Sequence, residues 1–392
     1  MKPYLLPFCL SAILPLTLAA LPQPRGFSGS FNHPAIRYLD APLHDAATAL
    51  NERLRDGSAH LSFENGRGYL ASLMDGLQID VDSQVLVFSQ TSADGPRITP
   101  QHPRAIFFND TTAIGWVPGG DLEIAALDPR QGVVFFVLKQ AETPTPALER
   151  QTSCLRCHIS WDTRGVPGVT VLSTGPADPN GYATGGAMDD RTPFAERWGG
   201  WYVTGKPGAM RHMGNVPVET PLARRPSRPP LLYSLDARVD RAAYPLASSD
   251  IVALMVLAHQ TRVMNLITDL GWESRVGHDV RSVARELADA LLFVDEAPIS
   301  GRIESGSSFA AEFTTIGPRD RRGRSLREFD LEHRLMKYPC SYMIYSPAFD
   351  ALPPAAKDEV YKRMWERLRG ADGRAAVEIL LETTRGLPDY FR

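Results

Sequence analysis

Cys154-Leu155-Arg156-Cys157-His158 stands where the chain changes character. Short β-branched and aromatic runs precede it, and long stretches with helical spacing follow. Within it, two thiols lie three residues apart and an imidazole follows the second. Residues at i and i+3 of a helical turn share a face. Two such thiols can each add across one vinyl group of a porphyrin: a C–S bond forms at one vinyl carbon and hydrogen goes to the other. His158 can then place a ring nitrogen on the iron, as the proximal ligand of a c-type haem. A redox dithiol would open a helix in a βαβ unit, and no such unit is legible. A zinc site would need a second closely spaced ligand pair, which the chain lacks.

Upstream, the runs beginning at Gln84, Arg104, Ala113, Leu122 and Gly132 read as strands. The turn signals Asp94-Gly95-Pro96, Asn109-Asp110, Pro118-Gly119-Gly120 and Asp128-Pro129 separate them. Connections this short imply an antiparallel meander. Phe107, Trp116, Phe135 and Phe136 are candidate apolar walls for a haem. Ala141 to Arg150 reads as a linker. The motif helix is expected to start near Thr152 or Ser153 and to stop before Gly165.

Downstream, Gly165-Val166-Pro167-Gly168 forms a turn. Its Pro167 carbonyl is the candidate acceptor for the ring N–H of His158, a contact that fixes the tautomer of a ligating histidine. Residues 173–215 are Gly-rich and poor in helix formers. Met213 or His212 in this stretch is the candidate distal iron ligand. Arg211-His212 also supports another arrangement, an open haem with an acid/base and a charge stabiliser above it. Asp189-Asp190 reads as an exposed turn.

Beyond Pro217 the pattern is helical. Asp250 is the expected cap of a central helix from Ile251 to about Leu270, ended by Gly271. Further helices are expected over Val280–Asp295, Ser307–Ile316, from Pro354 to Leu368, and over Ala375–Thr384. Arg319, Arg321, Arg322, Arg324 and Arg327 form a charge run, either a solvated loop or a clamp for haem propionates or an acidic partner.

At the amino end, Lys2 precedes an apolar run from Tyr4 to Leu18, which is short and broken by Pro7 and Pro15. It reads as an export signal cleaved near Ala19 or Ala20. No transmembrane segment is expected after its removal. Cys9 would leave with the leader, the motif would use Cys154 and Cys157, and Cys340 would remain as a small buried residue. The net charge of −3 gives no footprint for nucleic acid.

The chain resembles a largely uncharacterised family of exported bacterial proteins with a single-haem cytochrome c domain. The resemblance rests on Pro103–Asp110, Gly115–Gly120, Asp128–Val133, the Cys154–His158 motif, Gly165–Gly168, Arg197–Gly205, His212–Asn215 and Tyr338–Ser346. It runs from about residue 60 to near residue 370. It implies one covalent haem c per chain and a periplasmic location, and it brings no substrate.

The expected class is α+β, with a β-rich first half, a haem segment and an α-helical second half in one composite unit. Its parts are a leader at 1–20, a lead with a short helix at 21–60, a β-rich module at 61–145, a haem segment at 146–216 and a helical region at 217–392. The expected function is electron transfer with an unidentified redox partner protein. A haem enzyme with an open distal site, peroxidase-like or another oxidoreductase, is the alternative, as is a haem-based sensor. No residue is assigned as catalytic.

Overall fold

A computed structural model describes residues 26–177 and 183–391. The expected leader at 1–20 therefore lies outside the described residues. Asp45 accepts the Thr48 N–H and caps helix α1 (Ala46–Arg55), which α2 (Leu70–Gly76) follows. Next comes an antiparallel six-stranded meander in sequence order: β1 (Val85–Val87), β2 (Arg104–Phe108), β3 (Thr112–Trp116), β4 (Leu122–Asp128), β5 (Gly132–Leu138) and β6 (Glu149–Arg150). The short turns between the later strands enforce this order, as expected.

The motif occupies a 3-10 turn at Thr152–Cys154 and one α-turn, α3 (Leu155–His158). It is shorter than its sequence suggested. Ile159 turns to extended backbone, and no side chain caps the start. Strands β7 (Val171–Ala177) and β8 (Ala183–Met188) then form a hairpin. Its Gly- and Ala-rich sequence gave no alternation by which to read strands. Strand β9 (Gly205–Lys206) pairs with β10 (Glu304–Ser305).

Helix α4 (Ile251–Val276) is the central pillar. Asp250 caps it by accepting from Val252 N and Ala253 N. It runs through Gly271, against expectation: a glycine inside a helix costs only about 1 kcal/mol, and the burial of α4 on nearly all sides outweighs that. The stop is Gly277, in left-handed conformation at φ 83°. By length and composition α4 could cross a membrane, but its most apolar window is wholly buried inside the fold. Around it stand α5 (Arg281–Leu291), α6 (Phe309–Thr315), α7 (Pro347–Asp350), α8 (Pro354–Leu368) and α9 (Arg374–Thr383). A continuous apolar core joins both halves, from Phe27 to Phe391.

The arginine run is in large part the expected solvated loop: Arg319, Arg321 and Arg322 are exposed, while Arg324 is half-buried and Arg327 buried. Arg321, Arg322 and Arg324 pair with Glu382, Glu378 and Asp320, and Arg319 donates to the Thr314 and Gly323 carbonyls. Arg327 pairs with Asp110 and lies against the rings of Phe313 and Tyr342.

Candidate functional site

The motif turn sits over the sheet. Neither Cys154 nor Cys157 is in a disulfide; Cys154 is half-buried and Cys157 exposed. Burial and the nearby Glu123 carboxylate push the Cys154 thiol up. The His158 ring packs on Phe135, with centroids 4.5 Å apart. Burial holds this imidazole below its ordinary pKa, so it is neutral at physiological pH, and the Gly168 bond opposes the shift only in part.

The acceptor for His158 is one residue later than expected. Nδ1 lies 2.9 Å from the Gly168 carbonyl, while the Pro167 carbonyl is taken by the Val133 N–H. The Gly168 N–H also donates to the His158 carbonyl, so the two residues lock each other. A carbonyl can only accept, so Nδ1 carries the proton and Nε2 keeps its lone pair. No protein group among the described residues hydrogen-bonds that Nε2.

Helices α4 and α5 fix this geometry. Asn265 accepts from the Val169 N–H and donates to the Val169 carbonyl. Arg164 reaches Asp269 at 2.8 Å and Glu286 at 3.0 Å. A Cβ at Gly168 would run into Asn265 Oδ1, and one at Gly165 would meet the Phe27 carbonyl. Both glycines are thus set by close approach.

Only one of the four expected wall aromatics reaches the motif. Strand alternation sends Phe107, Trp116 and Phe136 to the opposite sheet face, where all are buried; Phe135 alone meets His158. His212 and Met213 lie on the loop that follows β9. No hydrogen bond or ring contact among the described residues joins them to Cys154, Cys157 or His158. They line a cavity of about 780 Å³ together with Ser173, Met188, Arg211 and Arg225.

His212 is buried against Trp198, and burial lowers its pKa to about 4. Its Nδ1 accepts the Gly214 N–H at 3.1 Å, which places the ring proton on Nε2. Met213 is held by its backbone, between the Arg197 carbonyl and the Arg225 guanidinium. Asn215 clips this loop to Val203 through both side-chain atoms.

A second polar cluster was missed in the sequence. Asp190, read as exposed, is buried and held by Arg262 at 3.0 Å. His259 Nδ1 lies 3.6 Å from Asp190, and its Nε2 is 2.7 Å from Ser341 Oγ. Burial alone would push Asp190 up, but His259 and Arg262 outweigh it and hold the carboxyl well below the usual range. Ser341 and His259 are 0% exposed, so no substrate can reach this Ser-His-Asp arrangement, which serves as a brace. Helical spacing and the lone Asp189-Asp190 pair carry no signal for it.

No family model, no curated protein and no solved structure matches the chain. The site is therefore judged on its chemistry. A covalent haem asks for two unpaired thiols on one turn, a neutral imidazole with a free nitrogen, and an apolar neighbour. Cys154, Cys157, His158 and Phe135 meet each requirement.

Proposed function

We propose that this chain is an exported, periplasmic c-type cytochrome that carries one covalent haem and transfers electrons. The observation that carries the reading is the His158–Gly168 bond. It fixes the Nδ1–H tautomer and leaves Nε2 as a ligand beside two unpaired thiols. Cys154 and Cys157 are the tethers and His158 the proximal ligand; Gly168, rather than Pro167, orients the ring. When bound, such a haem supplies a one-electron couple at its iron. Exposed Cys157 and the 78% exposed Trp161 put the motif at the surface, where a redox partner protein can approach.

Of the two distal candidates, the hydrogen bonding favours Met213. His212 in its present tautomer presents an N–H, not a lone pair. The cavity beside Arg211 and His212 favours a second reading, a haem oxidoreductase or sensor that binds a small molecule there.

The test is expression of the whole chain in a haem-attaching bacterial host. Wild-type protein should retain haem in a denaturing gel, and Cys154→Ala with Cys157→Ala should lose it. Haem staining that persists in the double variant sinks the reading. Loss of a thioether-to-iron absorption band in Met213→Ala, but not in His212→Ala, would assign the distal ligand.

A further inference from the structure

The sheet has two unlike faces. One carries Phe107, Ile114, Trp116, Leu122, Ile124 and Phe136, each at most 3% exposed. On the other, the register aligns Ile106, Gly115, Glu123 and Val137 in one cross-strand row and Ala113, Ala125 and Phe135 in the next. Ile106, Ala113, Ala125 and Val137 are apolar yet only partly buried. Small residues at the centre, with larger ones beside them, make a shallow, flat floor.

One ion pair edges this floor. A Cβ at Gly115 would run into the Arg104 guanidinium, so the arginine lies across the glycine and meets Glu123 on the next strand. Arg104 Nε is buried without a hydrogen-bond partner. The motif turn stands over the same face, because Phe135 in the second row touches His158. Arg104 and Glu123 both lie close enough to act electrostatically on Cys154 and His158.

We propose that the floor of Ala113 and Ala125 seats the chain's own covalent porphyrin, and that Arg104 and Glu123 at its edge exert opposing pulls on the iron's potential. This rests on the functional reading above. A porphyrin is a flat apolar plate, and an apolar, half-exposed sheet face beside its tethers is complementary to it in shape and polarity. A part-buried charge near the iron is weakly screened. Arg104 and Glu123 are therefore positioning residues of opposite sign whose effects on the ferric iron's extra positive charge nearly cancel.

The test uses whole chains that have passed through the haem-attaching host, with far-UV circular dichroism as the check of folding. Glu123→Gln leaves Arg104 unopposed, disfavours the ferric state and raises the midpoint potential. Arg104→Gln leaves the carboxylate unopposed and lowers it. Each shift should be about tenfold in the reduction equilibrium, roughly 59 mV for a one-electron couple. Ala125→Phe, which fills the floor, should reduce the covalent haem yield without changing the dichroism. Shifts of the same sign, or potentials equal to wild type with normal loading of Ala125→Phe, overturn this inference and leave the cytochrome reading intact. A wild-type chain without covalent haem overturns the functional reading itself.

Discussion

At the scale of single residues, the decisive contact is the one between His158 and Gly168. The motif itself was legible because its chemistry depends on spacing within one turn, which sequence displays directly. Its acceptor was legible only to within one residue. The Pro167 carbonyl was equally near in sequence, but strand β5 claims it through the Val133 N–H, and that pairing spans 34 residues. Gly168 can approach His158 only because it has no side chain to meet Asn265. Gly168→Ala should therefore displace Asn265 and loosen the loop, at a cost of about 1–3 kcal/mol. Urea unfolding of the chain would measure this, and a cost below about 0.5 kcal/mol would show that the close approach is not constraining. The distal side was not legible, because Met213 and His212 are placed by tertiary clips such as Asn215–Val203, which leave no mark on local spacing.

At the scale of elements, strands and helices followed from periodicity wherever one face was apolar. The meander and α8 appear close to their expected bounds, and α4 starts at its expected first residue. Two kinds of element escaped. Hairpin β7–β8 is mostly Gly, Ala, Ser and Thr, with Val171, Leu172 and Met188 at one end, and has no apolar alternation. The end of α4 differs from expectation because an interior glycine costs a helix only about 1 kcal/mol, which the burial of α4 outweighs. The start of α4 was clear because Asp250 is a strong cap, but its role is larger than the sequence implied. Besides Val252 N and Ala253 N, it accepts from Gly306 N, Ser305 Oγ and Ser307 Oγ. It thus ties the β9–β10 pair to the pillar helix. An ordinary cap is worth about 0.5–2 kcal/mol. Asp250→Ala also strands several buried donors, so its cost should exceed about 2 kcal/mol. Asp250→Asn, which keeps an acceptor oxygen, should cost less. Thermal unfolding of the two variants decides this, and equal losses would contradict the five-donor account.

At the scale of the whole molecule, the Asp190 brace joins three distant parts of the chain: the turn after β8, helix α4, and the Tyr338–Ser346 segment. Arg197 also donates to the Asp190 carbonyl, which ties the 197–205 stretch to the same point. No sequence pattern reports a cluster whose members lie so far apart, and so Asp190 was taken for a surface residue. Replacing Asp190 by Ala takes the nearer counter-charge from buried Arg262 and leaves only Asp189 at 3.8 Å, and breaking a buried pair costs up to about 3–5 kcal/mol. Asp190→Asn keeps the shape and loses only the charge, so it separates electrostatics from packing. The pH dependence has a definite sign. The folded pKa of Asp190 is depressed below its ordinary 3.8. Its contribution to stability is therefore fully present above that value and is lost as pH falls below it. Guanidinium unfolding between pH 7 and pH 2 should show wild type and Asp190→Asn running in parallel down to about pH 4 and wild type losing stability more steeply below it, so that the gap narrows towards the acid end. Curves that stay parallel over the whole range would mean that the carboxylate charge does not stabilise the fold, and that the brace acts by packing alone.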